Sequence, residues 1–447
     1  MTEGPRGRLL RPGDNGYRAE CAGFNLAVTH HPAYAVAAAT IEDVKTAIRL
    51  GVTEQLAVAV MATGHGPSLP ADGAVLINTR RMDGVRVDSL RRTAVVEAGA
   101  RWDQVLRAAA RSGLAPLAGS SPAVGAVGFV LGGGIGLLGR CYGYASDSVR
   151  EFQVVTADGR LRRVNRHRDE DLFWALRGGK GNFGVVVSME LELFPLARLF
   201  GGGIYFPGEA ASEVLQRYVE WARTVPDQMS SSVILARTPD SPGVPGPVRG
   251  RYVAHVRIAF CGPPSEAERW IRPLREAGPR LLDTLDEMPF AEVGTIHRDP
   301  ARPLAAYARN AGLRELDSAA AGVLLSLAAP ETGPPFALEL RHHGGAYAQP
   351  GPVPSAVGGR DSAFLLLSAS RLEPQRIDKV RTDHNRLYAA MRPWASGGSF
   401  ANFLGIDDVD PDRVRTAFAP ADHTRLLDVK KAYDPGNLFR FNHWIAR

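Results

Sequence analysis

The sequence predicts an α+β protein built from two units, and three observations lead there. Strand-like and helix-like stretches follow one another from Thr40 to Phe194, with an Asp-Gly turn between two apolar runs. The texture changes near residue 200, where helices alternate with strands across Pro/Gly-rich connectors. With 447 residues, 45% in the hydrophobic set and 22% charged, the chain can fill two or three domain cores, which excludes a disordered or fibrous protein.

The elements follow from local pattern. Thr40-x-x-Asp43 fits a capping box, and Val44, Ala47 and Ile48 continue it at helical spacing. Leu56–Val60 reads as a short buried strand running into Ala62-Thr63-Gly64-His65-Gly66-Pro67, and further strands are expected at Ala74–Asn78, Val85–Asp88 and Thr93–Ala98. Trp102–Ser112 is a helix stopped by Gly113. Phe152–Thr156 and Leu161–Val164 flank Asp158-Gly159 as a hairpin. A helix at Asp169–Leu176, a glycine cluster at Gly178–Gly184 and a long strand at Val185–Phe194 complete the first unit. The second carries helices at Glu209–Thr224 and Ser265–Ala277, and strands at Ser231–Ala236, Tyr252–Phe260, Phe336–Arg341 and Ala363–Ala369. From Ser399 the chain ends in a helix, Asp412–Ala432, and the tail Tyr433-Asp434-Pro435-Gly436-Asn437-Leu438-Phe439-Arg440.

Charge sets weak bounds. The net +6 comes from 53 basic against 47 acidic residues, the Arg excess is interleaved with acids, and clusters such as Arg162-Arg163 read as solvated surface rather than a phosphate track. No nucleic-acid partner is expected. Cys21, Cys141 and Cys261 are odd in number and widely spaced, so they form neither a disulfide framework nor a zinc motif. The N-terminus lacks the apolar run of a signal peptide, which makes a cytoplasmic protein the expectation.

Glycine is the informative residue. From Ser112 to Gly139 there is no charge and nine Gly, a window that hydropathy alone would offer as a membrane span. Nine Gly with Pro116 and Pro122 make a poor helix, so no membrane segment is expected. Glycines cluster around His65, at Gly132–Gly136 and at Gly178–Gly184, each beside a strand, which is how a fold offers backbone N–H groups to a phosphate or a flat polar cofactor. A literal Gly-x-Gly-x-x-Gly at Gly134, Gly136 and Gly139 is accidental: Arg140-Cys141-Tyr142-Gly143 follows where a helix should open, and Asp158 lies in a hairpin turn. The Walker phosphate motif is absent, because Lys180 is not followed by Ser or Thr.

Four segments in order resemble the flavoprotein family that includes vanillyl-alcohol oxidase, and within it the berberine bridge enzyme-like oxidases. They are Val58–Gly66 with Thr63, Gly64, His65 and Gly66; Gly119–Gly136 with Ser121, Val124, Gly125, Gly128, Gly132, Gly133, Gly134 and Gly136, followed by Tyr142; Arg177–Val186 with Asn182, Gly184, Val185 and Val186; and the C-terminal tail, to which Asn442 is added. The resemblance implies a two-part FAD-binding domain of the PCMH type over 1–199, a substrate domain with an antiparallel sheet over 200–399, and a segment over 400–447 completing the FAD domain. All the residues just named would contact FAD, His65 through a covalent bond to the flavin 8α-methyl.

Departures from the family bear on mechanism. Ser121 stands where bicovalent members have cysteine, and a hydroxyl cannot replace a thiolate nucleophile, so one covalent link through His65 or a non-covalent flavin is expected. Cys141 is read as a packing side chain rather than a substitute. Val124 sits where the resemblance places a residue gating dioxygen, which fits an oxidase, and plain core packing fits it equally. The tyrosine expected beside Asn402 is replaced by Phe400 and Phe403, and Gly344–Gln349 lacks the glutamate of plant members. Glu339, Arg341 and His343 share one strand face, opposite Leu340 and His342. The catalytic set is therefore His343 or His342 as base, Tyr347 as donor, Glu339 and Asn402, with no metal, since adjacent strand histidines point apart.

The implied activity is two-electron oxidation of a small alcohol, phenol, hemiacetal or amine, a secondary-metabolite intermediate. Hydride passes to the flavin and dioxygen is reduced to hydrogen peroxide. Loss of both usual bases leaves an alternative: a flavin-retaining protein that catalyses a cyclisation or rearrangement without net redox turnover.

Overall fold

Apolar alternation sorts the strands into sheets of four, five and eight strands plus a two-stranded ribbon. The computed structural model describes residues 7–66, 69–328, 337–441, 443 and 445.

In the first sheet Arg8–Leu10 pairs antiparallel with Tyr34–Ala37, and Val75–Asn78 lies parallel between Tyr34–Ala37 and Val58–Met61. The helix Ile41–Thr53 crosses it, burying Val44, Ala47 and Ile48 against Val58, Val75 and Ile77. Its start is the expected capping box: Asp43 N–H donates to Thr40 Oγ1 at 3.2 Å, and Asp43 Oδ2 accepts from Thr40 N–H at 2.9 Å.

The second sheet is antiparallel, in the order Val85–Asp88, Thr93–Glu97, Val185–Glu192, Val149–Val155, Leu161–Asn165. Its Asp-Gly hairpin is closed by Val155 opposite Leu161, with Gly159 at φ +74°. The expected strand Val185–Phe194 ends at Glu192. Phe194–Pro195 instead pairs with Leu114–Ala115. A two-residue edge pairing tolerates the missing N–H of Pro195, which a longer central ladder would not.

The third sheet, antiparallel throughout, runs in the order Leu282–Asp283, Arg198–Pro207, Tyr252–Phe260, Met229–Arg237, Ala337–His342, Phe364–Arg371, Ala306–Leu313, with Asp286–Pro289 also paired to Arg198–Pro207. The helices Ala211–Ala222, Pro264–Arg275, Ser318–Ala328 and Ile377–Ala390 cover one face, where Val233, Val256, Leu338 and Leu366 meet Leu215, Ile271, Leu324 and Leu387. Alternation therefore turns Ser232, Arg257, Glu339 and Arg341 to the other face. That face meets the glycine-rich loop through Ile135, Tyr144, Tyr347, Leu365, Leu367 and Phe400.

The pattern did not reveal the strand Ala306–Leu313 or the helices Ser318–Ala328 and Ile377–Ala390. Ser318–Ala328 is apolar on all sides and carries no helical period. The single helix expected over Asp412–Ala432 is two, Pro411–Arg415 and Pro420–Tyr433, because Pro420 forces Ala419 into an extended conformation, ψ 147°. Within the charge-free window the helix is Ala126–Leu131, and the short helix Gly139–Tyr142 begins at its last residue. No helix among the described residues is long and apolar enough to cross a membrane.

The C-terminal segment returns to the first unit. Leu438 O accepts from Val58 N–H at 2.9 Å, and the buried Lys430 ammonium donates to Asp434 Oδ2 at 2.6 Å and to the carbonyls of Asn182 and Phe439 at 2.7 Å.

Candidate active site

The parallel strand Val58–Met61 delivers its loop at the carboxyl edge of the first sheet. Gly64 adopts φ +69° there, and a Cβ on it would stand 2.6 Å from Gly23 Cα, so the turn requires glycine. His65 follows, its ring stacked on Phe24 at 3.8 Å between centroids and its Nδ1 2.8 Å from Thr63 Oγ1. The same hydroxyl accepts from Gly125 N–H at 3.3 Å, which ties the histidine loop to the glycine-rich window. Burial, assisted by Arg101, pushes the imidazole down to about 4, so it is neutral near pH 7. Its Nε2 is buried with no hydrogen-bond partner among the described residues. Gly66 is exposed at the end of the loop.

The window itself is a cradle of bare backbone. Gly133 and Gly134 take φ +104° and +81°, and a Cβ on Gly132 or Gly136 would lie 2.6 Å from Asn402 Nδ2 or 2.7 Å from Ala118 O. Asn402 braces it: its Oδ1 accepts from Gly134 N–H and its Nδ2 donates to Phe129 O, both at 2.7 Å. Ser121 and Val124 are partly buried at the start of the window, where Val124 packs on the core of the first unit. Gly128 faces open space. Tyr144 Oη and Ser146 Oγ are buried without partners among the described residues. Side-chain-free backbone, a neutral imidazole with one orphaned nitrogen and these orphaned hydroxyls fit a flat cofactor with polar edges and phosphates.

Opposite the cradle stands the polar face of the third sheet. Glu339 lies between two arginines: Arg341 Nε donates to Oε1 at 2.8 Å and Nη2 to Oε2 at 3.3 Å, while Arg257 Nη2 is 2.7 Å from Oε1. Burial pushes this carboxyl up, but the two guanidiniums outweigh it and hold it below its ordinary value. His343 stacks on Tyr347 at 4.5 Å and meets Phe400 edge-on at 4.9 Å. Burial, reinforced by Arg341 and Arg140, depresses it to about 3, and neither ring nitrogen has a partner among the described residues. The Tyr347 hydroxyl donates to Gly136 O at 2.9 Å, and burial raises its pKa. Gly136, Ser232, Arg257, His297, Arg341, His343 and Tyr347 border a cavity of about 30 Å³, room for about one water.

Sequence comparison places this arrangement. A family model described as an FAD binding domain matches residues 32–165, and one described as berberine and berberine like matches residues 399–446. The chain thus carries both an FAD binding domain and a berberine-like C-terminal segment, and its relatives are FAD-linked oxidoreductases of the berberine bridge enzyme-like kind. It is similar to (R)-6-hydroxynicotine oxidase of Paenarthrobacter nicotinovorans, 26% identical across 98% of this chain and 96% of that one. An FAD-linked oxidoreductase of Dictyostelium discoideum is 25% identical across 99% and 95%. Among solved structures, 6-hydroxy-D-nicotine oxidase from Arthrobacter nicotinovorans superposes with a TM-score of 0.86 at 24% identity, covering 98% of both chains. A chitooligosaccharide oxidase does so at 0.82 and 21%, covering 98% and 97%. The protein is therefore an enzyme, an FAD-dependent oxidoreductase with the PCMH-type α+β fold.

Several expected site residues of this berberine bridge enzyme-like protein have other work. Asn182 Nδ2 donates to Gly179 O at 2.8 Å and His443 O at 3.3 Å, and Oδ1 accepts from Ile445 N–H at 3.2 Å, so its side chain holds the C-terminal segment behind the third glycine loop. Asn402 is likewise a positioning residue, both of its polar atoms being bonded to loop backbone. Glu339 is an ion-pair centre rather than a free carboxylate. Val185 and Val186 open the strand Val185–Glu192 and are buried in two apolar cores, and a Cβ on Gly184 would stand 2.7 Å from Val155 O. Tyr142 packs its ring on Phe194 at 4.3 Å. Asn442 lies outside the described residues.

Sequence reading overlooked Arg140, Arg257 and His297. Arg140 is 5% exposed, donates to Met229 O at 2.9 Å and to His343 O, and lies 3.0 Å from His342 Nε2, so it fixes the His342-His343 segment. The signal was present: in Tyr252–Phe260 the polar residues His255 and Arg257 occupy alternate positions of an otherwise apolar strand, as Glu339, Arg341 and His343 do farther on. The thiols of Cys141 and Cys261, far apart in sequence, are neighbours, and the Cys261 thiol donates to Gln228 O at 3.5 Å. The contact between the two thiols lowers the Cys141 pKa and raises that of Cys261.

Proposed function

We propose that the protein is an oxidase that removes two electrons from a small alcohol, phenol, hemiacetal or amine, a secondary-metabolite intermediate, with dioxygen as acceptor and hydrogen peroxide as product. The observation that carries this reading is the neutral, half-buried His65, whose buried Nε2 has no partner among the described residues, anchored beside the glycine cradle. His65 is proposed as the one covalent tether, Ser121 being unable to form a second. Bound FAD supplies the hydride acceptor. Thr63 orients His65, Asn402 shapes the loop, and the apolar surround of Tyr144, Leu365, Leu367 and Phe400 keeps bulk water out.

His343 is proposed to receive the substrate hydroxyl or ammonium proton, because it enters the reaction neutral and no group among the described residues occupies its ring nitrogens. Oxidase activity agrees with the names of the relatives, which act on 6-hydroxynicotine and chitooligosaccharides. The test is anaerobic addition of a substrate panel to the yellow protein: one compound should bleach the flavin, and air should restore the colour with one hydrogen peroxide released per turnover. Bleaching that air does not reverse would remove dioxygen as the acceptor.

Three observations favour a second reading, a flavin-retaining catalyst of cyclisation or rearrangement. The Tyr347 hydroxyl is bonded to Gly136 O, Glu339 is neutralised by arginines, and burial makes His343 a weak base. Conversion of a reactant with no bleaching under any condition would select it.

A further inference from the structure

The two arginines above the cradle differ in one respect. Arg341 presents Nε and Nη2, the side edge of its guanidinium fork, to both oxygens of Glu339. In Arg257, the equivalent Nε and Nη2 are buried with no hydrogen-bond partner among the described residues. Its Nη1 lies 2.9 Å from His297 Nδ1, and its 2.7 Å contact with Glu339 Oε1 is an ion pair whose N–H is not aligned on the oxygen. The Arg257 side chain is 3% exposed. Two guanidiniums, that of Arg257 buried and that of Arg341 half-buried, thus share one buried carboxylate. Asp299, half-buried nearby, accepts from the Ser120 hydroxyl at 2.6 Å and forms no ion pair with either arginine among the described residues.

A buried guanidinium edge without an aligned hydrogen bond is costly, and a carboxylate is the group whose two oxygens match its spacing. Arg257 borders the same cavity as Gly136, Arg341 and His343. The neighbouring imidazoles add no negative charge: burial and the arginines keep both His297 and His343 neutral. We propose that the substrate carries a carboxylate, which docks side-on to Nε and Nη2 of Arg257 and holds the oxidisable carbon over the glycine cradle.

This assignment rests on the proposed function, with the water-sized cavity taking only the carboxylate end and the rest of the substrate lying toward the glycine cradle. It predicts discrimination by charge at constant shape. Acetate, benzoate and phenylacetate serve as probes, with acetamide, benzamide and phenylacetamide as their neutral partners, titrated into the purified full chain by calorimetry and followed in parallel by the visible flavin spectrum. At least one carboxylate should bind at least tenfold more tightly than its amide and perturb the flavin band. Arg257→Gln should weaken that carboxylate about 10- to 100-fold while leaving its amide unchanged, the worth of a charge-assisted pair. Arg257→Lys, which retains the charge and loses the fork, should fall between.

Equal affinity for acid and amide, no binding of any of the three acids at millimolar concentration, or an Arg257→Gln protein that binds the acid as wild type does would each overturn the proposal. The wild-type acid-to-amide ratio decides the matter even if the variant fails to fold. A protein that retains flavin but shows no such ratio fails the arginine assignment alone. Carboxylate discrimination in a protein that no substrate reduces fails the oxidase reading alone.

Discussion

The Thr63 hydroxyl lies 2.8 Å from His65 Nδ1 while accepting from Gly125 N–H at 3.3 Å, so one side chain orients the imidazole and joins two glycine loops. In consequence His65 has one nitrogen occupied and the other without a partner among the described residues, with its plane set by Phe24. His65→Ala should release all yellow colour to the supernatant on acid precipitation, whereas the wild type keeps it in the pellet. Thr63→Ala should slow attachment roughly 2- to 10-fold, the worth of one neutral hydrogen bond, and Thr63→Ser should restore it. Colour retained in the His65→Ala pellet would move the attachment elsewhere.

Asn402 is the brace of the glycine-rich loop, and its removal leaves Gly134 N–H and Phe129 O without that partner. Asn402→Ala should cost about 2–4 kcal/mol in denaturant unfolding and weaken retention of FAD. Asn402→Asp, which retains the acceptor and loses the donor, should recover part of that loss. A variant as stable as wild type would show that solvent replaces both bonds.

The Lys430–Asp434 pair, 2% and 0% exposed, ties the tail to the third glycine loop. Breaking one partner strands a buried charge, so Lys430→Met should destabilise by about 3–5 kcal/mol, and Lys430→Met with Asp434→Asn should be milder than the single change. Chemical denaturation with flavin and tryptophan fluorescence as separate probes reads both.

Acid sensitivity follows from the buried and half-buried imidazoles, His65, His343 and His384 among them, with His255, His297, His342 and His443 also held well below their ordinary value by burial. Burial is the largest cause in each case and lowers His65 and His384 to about 4 and His343 to about 3, from an ordinary 6.5. Between pH 6.5 and about 4 the unfolded chain binds protons that the native chain refuses. The stability these groups confer is therefore complete above pH 6.5 and falls as acid is added, by up to about 1.4 kcal/mol per pH unit for each. His343→Phe should flatten this limb when the unfolding midpoint is followed from pH 7 to 4.5. An unchanged slope would place the protonation elsewhere.

Much of the fold is legible because its signals are local. The Thr40 capping box, the Asp158-Gly159 hairpin and the strand Tyr252–Phe260 stand where spacing and turn chemistry put them. Ser318–Ala328, with apolar residues all round, has no such signature, and Pro420 divided a helix that the pattern ran together. In the site, the Gly64-His65 loop and the Gly132–Gly136 cradle were visible as glycine clusters, since a backbone that must turn sharply or approach closely advertises itself by composition.

The amino-acid sequence by itself determined the α+β class, the glycine loops and the family, because each depends on residue type at short spacing. Only the tertiary structure decided which charges meet. It set Arg257 and Arg341 on adjoining ladders about Glu339, brought Arg140 under His343, and bonded the side chains of Asn402, expected in the catalytic set, and Asn182, expected at the cofactor, to loop backbone. Those pairings cross from one unit to another or between strands distant in sequence, and an ion pair or buried hydrogen bond is defined by ångström separations that no local pattern encodes.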